Sequence, residues 1–163
     1  MNLPRVLVGA FVVGAAAELV RRYGPLRRFE IAETSMTPSL QPGDYVMTIR
    51  RPPHRGAIVV YQHPQRQGLF LTKRVVGLPG ERISIQESGL VLIDGTPLPE
   101  PWAHNHQGPG GDWTVPPGHV FVMGDDRLRS RADSRFVGPV PVPDLDQILL
   151  RYRPLIRKPA RRR

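Results

Sequence analysis

The chain has 163 residues, enough for one domain of ordinary size with a short anchor or tail and too few for two such domains. It contains no cysteine, which excludes disulfides, thiolate zinc sites and a cysteine nucleophile. The net charge of +9 suits an anionic surface, membrane or nucleic acid, so the distribution of the charge matters more than its total.

In chain order, residues 3–20 are apolar apart from Pro4, Arg5 and Glu18. A helix of that length extends roughly 27 Å, close to the hydrocarbon thickness of a bilayer. Both charges lie near its ends, where long side chains reach the headgroup region. Residues 1–22 are therefore expected to form a membrane anchor. A cleavable leader, with Arg5 as basic start and Ala15-Ala16-Ala17 as small-residue site, and a buried helix stay open beside it. Arg21, Arg22, Arg27 and Arg28 outnumber the positive charges before the segment, which by charge alone would keep the following domain cytoplasmic.

From residue 23 to residue 150 the chain reads as one domain. Sixteen glycines and nineteen prolines punctuate the sequence into short runs and argue against long helices. Residues 45–49, 57–61, 70–76, 82–86, 90–93 and 119–123 read as strands, separated by the turns Gln41-Pro42-Gly43-Asp44, Leu78-Pro79-Gly80-Glu81, Asp94-Gly95 and Val115-Pro116-Pro117-Gly118. Residues 97–112 read as an irregular excursion. This spacing predicts an all-β fold, an antiparallel sandwich or partly open barrel. Residues 151–163 hold seven basic side chains, no acidic one and two prolines, and read as a basic tail, either solvated or in contact with anionic lipid.

Three segments carry chemistry. Ser35 stands just ahead of Pro38, Lys73 lies within the apolar run Leu71-Thr72-Lys73-Arg74-Val75-Val76, and Gly124-Asp125-Asp126-Arg127 follows a strand directly. A serine hydroxyl needs a base, and a lysine serves as one only if burial lowers its pKa. Taken singly, these residues equally fit a turn serine and an outward-facing lysine beside Arg74. His104-Asn105-His106 with Asp112 lacks a fourth plausible metal ligand in a Gly- and Pro-rich stretch, and no metal is expected. Trp102 and Trp113 are expected to pack on the sheet or meet the membrane interface.

Order and wording add more. Glu33-Thr34-Ser35-Met36-Thr37-Pro38-Ser39-Leu40 followed by Gln41-Pro42-Gly43-Asp44 resembles the nucleophile box of the signal peptidase I family. The stretch from Thr72 to Glu81, with Lys73, Arg74, Gly77, Pro79 and Gly80, is similar to its lysine box. Gly124-Asp125-Asp126-Arg127 with Asp133-Ser134-Arg135 and Gly138 is similar to its last box, and together the three boxes run from about residue 31 to 140.

The resemblance implies a serine endopeptidase that removes N-terminal signal or leader peptides. It acts on preprotein substrates at the outer face of the cytoplasmic membrane, with a single anchor and no cofactor. It implies Ser35 as nucleophile, Lys73 as general base, the Ser35 N–H as an oxyanion donor, and Ser130 as the residue that orients the lysine amine; Thr34 is the candidate to supply a second donor hydroxyl where this chain departs from the pattern. Met36, Pro38, Arg74, Gly77, Pro79, Gly80, Gly124, Asp125, Arg127, Asp133, Ser134 and Arg135 complete the motifs.

Three features depart from the pattern. Glu33 stands where some members carry a second oxyanion donor, and is expected to face away; the last box is one residue too long, with Arg131 read as the insertion; Asp126 and Glu81 replace the usual asparagine and aspartate. These changes point to a diverged branch, such as a maturation protease dedicated to one or a few substrates. A self-cleaving repressor is disfavoured because the residues before Ser35 leave no room for a helix-turn-helix. A non-catalytic protein binding anionic lipid or nucleic acid through its tail accounts for the charge but not for the boxes. Lipid contact through residues 3–20 and the tail is expected, and nucleic acid is not.

Overall fold

A computed structural model describes residue 18, residues 20–22 and residues 24–153. The expected anchor and most of the expected tail lie outside the described residues. Among the described residues no helix is long and apolar enough to cross a membrane.

The domain is built from two antiparallel sheets. Strands β1 (Arg27–Glu30), β2 (Tyr45–Ile49), β3 (Ile58–Gln62), β4 (Phe70–Gly77), β9 (His119–Met123), β10 (Val140–Pro141) and β11 (Asp146–Tyr152) form the larger sheet, in the order β1-β2-β11-β3-β4-β9-β10. Strands β5 (Arg82–Ile85), β6 (Val91–Ile93), β7 (Thr96–Pro97) and β8 (Gly111–Thr114) form the smaller one, in the order β7-β6-β5-β8. One helical turn, α1 (Ser134–Val137), lies within the last box, with Asp133 as its N-cap.

All six strands expected from the sequence are present within a residue or so of their predicted ends. Five others, β1, β7, β8, β10 and β11, were not expected. β1 is Arg-Arg-Phe-Glu and has no apolar face to announce it; it forms because β2 offers a partner, in the register Arg27↔Thr48 to Glu30↔Tyr45. β7 and β8 take the two ends of the excursion predicted over residues 97–112 into the smaller sheet.

β11 corrects the boundary drawn at residue 150. It runs through Tyr152 and pairs with both β2 and β3, so Arg151 and Tyr152 belong to the sheet rather than to the tail. Arg151 and Arg153 close on the fully buried Asp44 carboxylate at 2.9 and 2.8 Å, which a further bond from the Gln41 N–H (2.8 Å) completes. Buried charge is tolerable only with such compensation.

Strand β4 links the cores. Alternation places Leu71, Lys73 and Val75 on one face, and Leu71 and Val75 pack with Val59, Tyr61, Val122 and Leu145. The β4–β9 register then slips between Val75 and Gly77, a bulge that leaves Val76 as the extra residue. Val76 turns into a second core with Ile83, Val91, Phe121 and Met123, between the end of the larger sheet and the smaller one. A third core, Ile31, Met36, Leu40, Val46 and Val60, covers the opposite face of β3 and anchors the segment that contains Ser35.

Gly77 sits at this junction. A β-carbon there would lie 2.5 Å from Ile83 Cδ1 and 3.0 Å from Phe121 Cβ. Gly77→Ala is therefore expected to destabilise the domain by about 1–3 kcal/mol through overpacking, read as a lower urea midpoint with unchanged slope. An unchanged midpoint would show that the junction has room the packing does not suggest.

Candidate active site

Ser35 and Lys73 come from segments 38 residues apart, and the fold sets Lys73 Nζ 2.8 Å from Ser35 Oγ. Strand parity does half of this: Lys73 shares the inward face of β4 with Leu71 and Val75, and only 1% of it is exposed. Packing of Met36 and Leu40 into the third core does the rest, holding Ser35 in a tight turn in which the Thr37 N–H donates to the Thr34 carbonyl and the Leu40 N–H to the Met36 carbonyl. Ser35 is itself buried, and its carbonyl accepts from the Asp126 N–H at 3.0 Å, which ties the nucleophile segment to the last box.

Burial pushes the Lys73 amine below its ordinary pKa, because the charged form loses its hydration. Asp133, Glu33 and Asp125 pull it back up, while Arg135 lowers it further; burial prevails. A lysine so placed yields the neutral amine more readily than a free one. In that state the serine hydroxyl can donate to the nitrogen lone pair across the same 2.8 Å.

The last box is a buried polar scaffold around Asp133. The Ser130 hydroxyl donates to Asp133 Oδ2 at 2.6 Å, the Gly124 N–H donates to the same oxygen at 3.2 Å, and the Arg135 side chain reaches both carboxylate oxygens at 3.0 Å. Arg135 also donates to the carbonyls of Arg127 (2.8 Å) and Ser130 (3.0 Å). The Ser134 hydroxyl accepts from the Val122 N–H at 2.8 Å, fastening the box to β9. Each buried charge thus has several partners, which is what makes its burial tolerable.

Ser130 is fully buried beside Gly124: a β-carbon on Gly124 would come within 2.4 Å of the Ser130 hydroxyl and 2.7 Å of the Ser35 carbonyl. Its hydroxyl proton goes to Asp133. Arg131, read from the sequence as the insertion, is exposed and borders the cleft.

The remaining motif residues support the site from outside. Arg74 grips Asp125 with two bonds (2.8 and 2.6 Å), donates to Gly56 O and Ser39 Oγ, and lies 4.8 Å over the Trp102 ring. Arg127 forms a buried ion pair with Glu100, and His104 makes an isolated parallel bridge with Asp126. The excursion expected to be merely irregular is thereby pinned to the last box. Trp113 packs against Phe121 in the second core. Glu81, at the position usual for aspartate, accepts from the Leu78 N–H and pairs with Arg55, while Pro79 and Gly80 form the exposed turn before β5.

A cleft of about 530 Å³ opens over the pair. Ala32, Leu69, Leu71 and Ala132 give it apolar walls, and Thr34 lines it half-buried. Glu33 does not turn wholly away as expected: it is exposed, yet it lines the cleft, and its charge acts on Lys73. Sequence reasoning also missed His63, Arg66 and Arg129, which join this wall from the β3–β4 connection and the last box. No local signal marks them, because only chain closure brings those loops to the serine.

Comparison with known proteins agrees with the geometry. The family description "Signal peptidase, peptidase S26" matches residues 5–148. A probable signal peptidase I-1 of Synechocystis is 35% identical over 155 residues, covering 86% of this chain and 74% of its own. Signal peptidase I of Pseudomonas aeruginosa is 27% identical, over 77% of this chain, and that of Leptolyngbya laminosa 36% identical, over 68%. The chain spans 60% of the length of each of these two relatives. A solved signal peptidase I structure from Enterococcus faecalis superposes with a TM-score of 0.53 at 28% identity, covering 61% of this chain and 98% of that one. With a match across most of its length and a shared architecture of antiparallel sheets, this chain belongs to the signal peptidase family, peptidase S26.

Proposed function

We propose that this protein is a serine endopeptidase that removes N-terminal signal or leader peptides from exported proteins. The observation that carries the reading is the buried contact of 2.8 Å between Lys73 Nζ and Ser35 Oγ at the floor of an open cleft. Ser35 Oγ attacks the scissile carbonyl carbon and Lys73 takes the hydroxyl proton, then delivers it to the leaving amine as the C–N bond breaks. The resulting ester is hydrolysed by a water that Lys73 deprotonates in turn. The Ser35 N–H and the Thr34 hydroxyl serve the developing oxyanion, and Ser130, held by Asp133, positions the lysine end of the pair. The apolar walls formed by Ala32, Leu71 and Ala132 suit the small residues of an Ala-x-Ala leader end.

In the same proposal, residues 3–20 anchor the protein in the cytoplasmic membrane with the catalytic domain on its outer face, and the basic tail meets anionic lipid. Arg131 and the acidic Glu33 beside the site favour a protease dedicated to one or a few substrates over a general one.

The test is cleavage, in detergent or lipid, of a peptide whose leader ends in Ala-x-Ala. Ser35→Ala and Lys73→Ala should each lower kcat/KM by about 10²–10⁴-fold or more while the circular dichroism spectrum is preserved. Full activity in either variant would remove its residue from the mechanism. The acid limb of the wild-type pH profile should rise as Lys73 loses its proton, below the ordinary lysine value of 10.5.

Stability provides a separate check. Between the lowered native pKa of Lys73 and 10.5 the unfolded chain binds more protons at this group, so its contribution to stability rises with pH and levels off above 10.5. Lys73→Met, which keeps the volume and removes the charge, should equal or exceed the wild type in stability at neutral pH. That advantage should fade as pH approaches 10.5, in parallel denaturant titrations. A variant that is less stable at neutral pH by a margin independent of pH would mean that the buried amine carries no such penalty.

A further inference from the structure

Three arginines face the cleft, and their pairing differs. Arg129 lies 3.6 Å from the Asp126 carboxylate, which offsets its charge. Arg66 and Arg131 are exposed and make no ion pair within 4.0 Å among the described residues. Among the described residues the only acid lining the cleft is Glu33, likewise outside any ion pair of that length.

The backbone beneath both arginines is fixed. Arg131 stands between Ser130, tied to Asp133, and Ala132, whose carbonyl lies 3.4 Å from the Tyr61 hydroxyl. The Arg66 N–H donates to the His63 carbonyl at 3.2 Å, and its own carbonyl accepts from the Leu69 N–H at 3.3 Å. Two guanidinium groups are thus mounted on ordered loops at the rim of a cleft whose apolar walls weaken solvent screening. An approaching carboxylate gains from both, whereas an approaching cation is repelled by both.

We infer that the cleft selects substrates carrying an acidic residue close to the scissile bond, and that Arg66 and Arg131 are the residues that recognise it. This rests on the peptidase reading above. The insertion that lengthens the last box is then a specificity element: it adds a cation to the substrate wall and leaves the buried Ser130–Asp133 bond intact.

The experiment uses the full chain in detergent and a set of Ala-x-Ala leader peptides in which Asp, Asn or Lys is placed, one position at a time, on either side of the cleaved bond. At one or more positions the Asp peptide should exceed the Asn peptide in kcat/KM by about three- to tenfold at low salt, as expected for exposed ion pairs, with the gap closing as ionic strength rises. Arg66→Gln and Arg131→Gln should each narrow the Asp/Asn ratio, and the double variant Arg66→Glu, Arg131→Glu should reverse the order of the Asp and Lys peptides. Equal cleavage of Asp and Asn peptides at every position, or an acidic preference that survives the double reversal, would overturn the inference and leave the peptidase reading standing. Failure of the folded wild type to cleave any of the peptides would overturn both.

Discussion

A lysine amine can act as a base near neutral pH only if it is kept from water, and keeping it from water is costly unless the surroundings are built for it. Much of the architecture answers this constraint. The β4 strand turns Lys73 inward with Leu71 and Val75, the β4–β9 bulge redirects the strand immediately afterwards, and the larger sheet supplies the apolar neighbours that depress the amine's pKa. The same burial leaves Lys73 at the floor of the cleft, beside a serine.

The last box balances that cost. Asp133 draws together the Ser130 hydroxyl, the Gly124 N–H and the Arg135 guanidinium, so a carboxylate and a guanidinium sit in the interior with their hydrogen-bonding capacity in use. Their effects on Lys73 oppose each other, Asp133 raising and Arg135 lowering its pKa. Desolvation is left to set the direction. A half-satisfied network would leave a buried charge uncompensated, which explains why the motif is long and its members are tied to one another as well as to the site.

Around this rigid centre the cleft wall is assembled from exposed loop residues. Arg66, Arg129 and Arg131 line it without belonging to the buried network around Asp133, whereas the charge of Glu33, on the same wall, raises the pKa of Lys73. The separation between a buried polar centre and a solvent-facing rim allows a peptidase fold to be retuned for a particular substrate at little cost to its chemistry.

The strands with apolar alternation, the turns and the three boxes were legible in the sequence because each depends on local spacing or on a run of specific residues. So were Ser35 and Lys73 as a pair, through the motifs that contain them. β1 and β11 were not, since Arg27–Glu30 and Asp146–Tyr152 carry charges that read as loop or tail until a neighbouring strand and the Asp44 carboxylate give them partners. Which face of β4 is buried, that the Ser130 hydroxyl donates to Asp133, and that Arg66 from a distant loop joins Arg131 at the rim were likewise decided by tertiary structure. Local sequence sets the period of a strand and the chemistry of a turn. Desolvation and cleft charge are properties of what the folded chain brings from elsewhere.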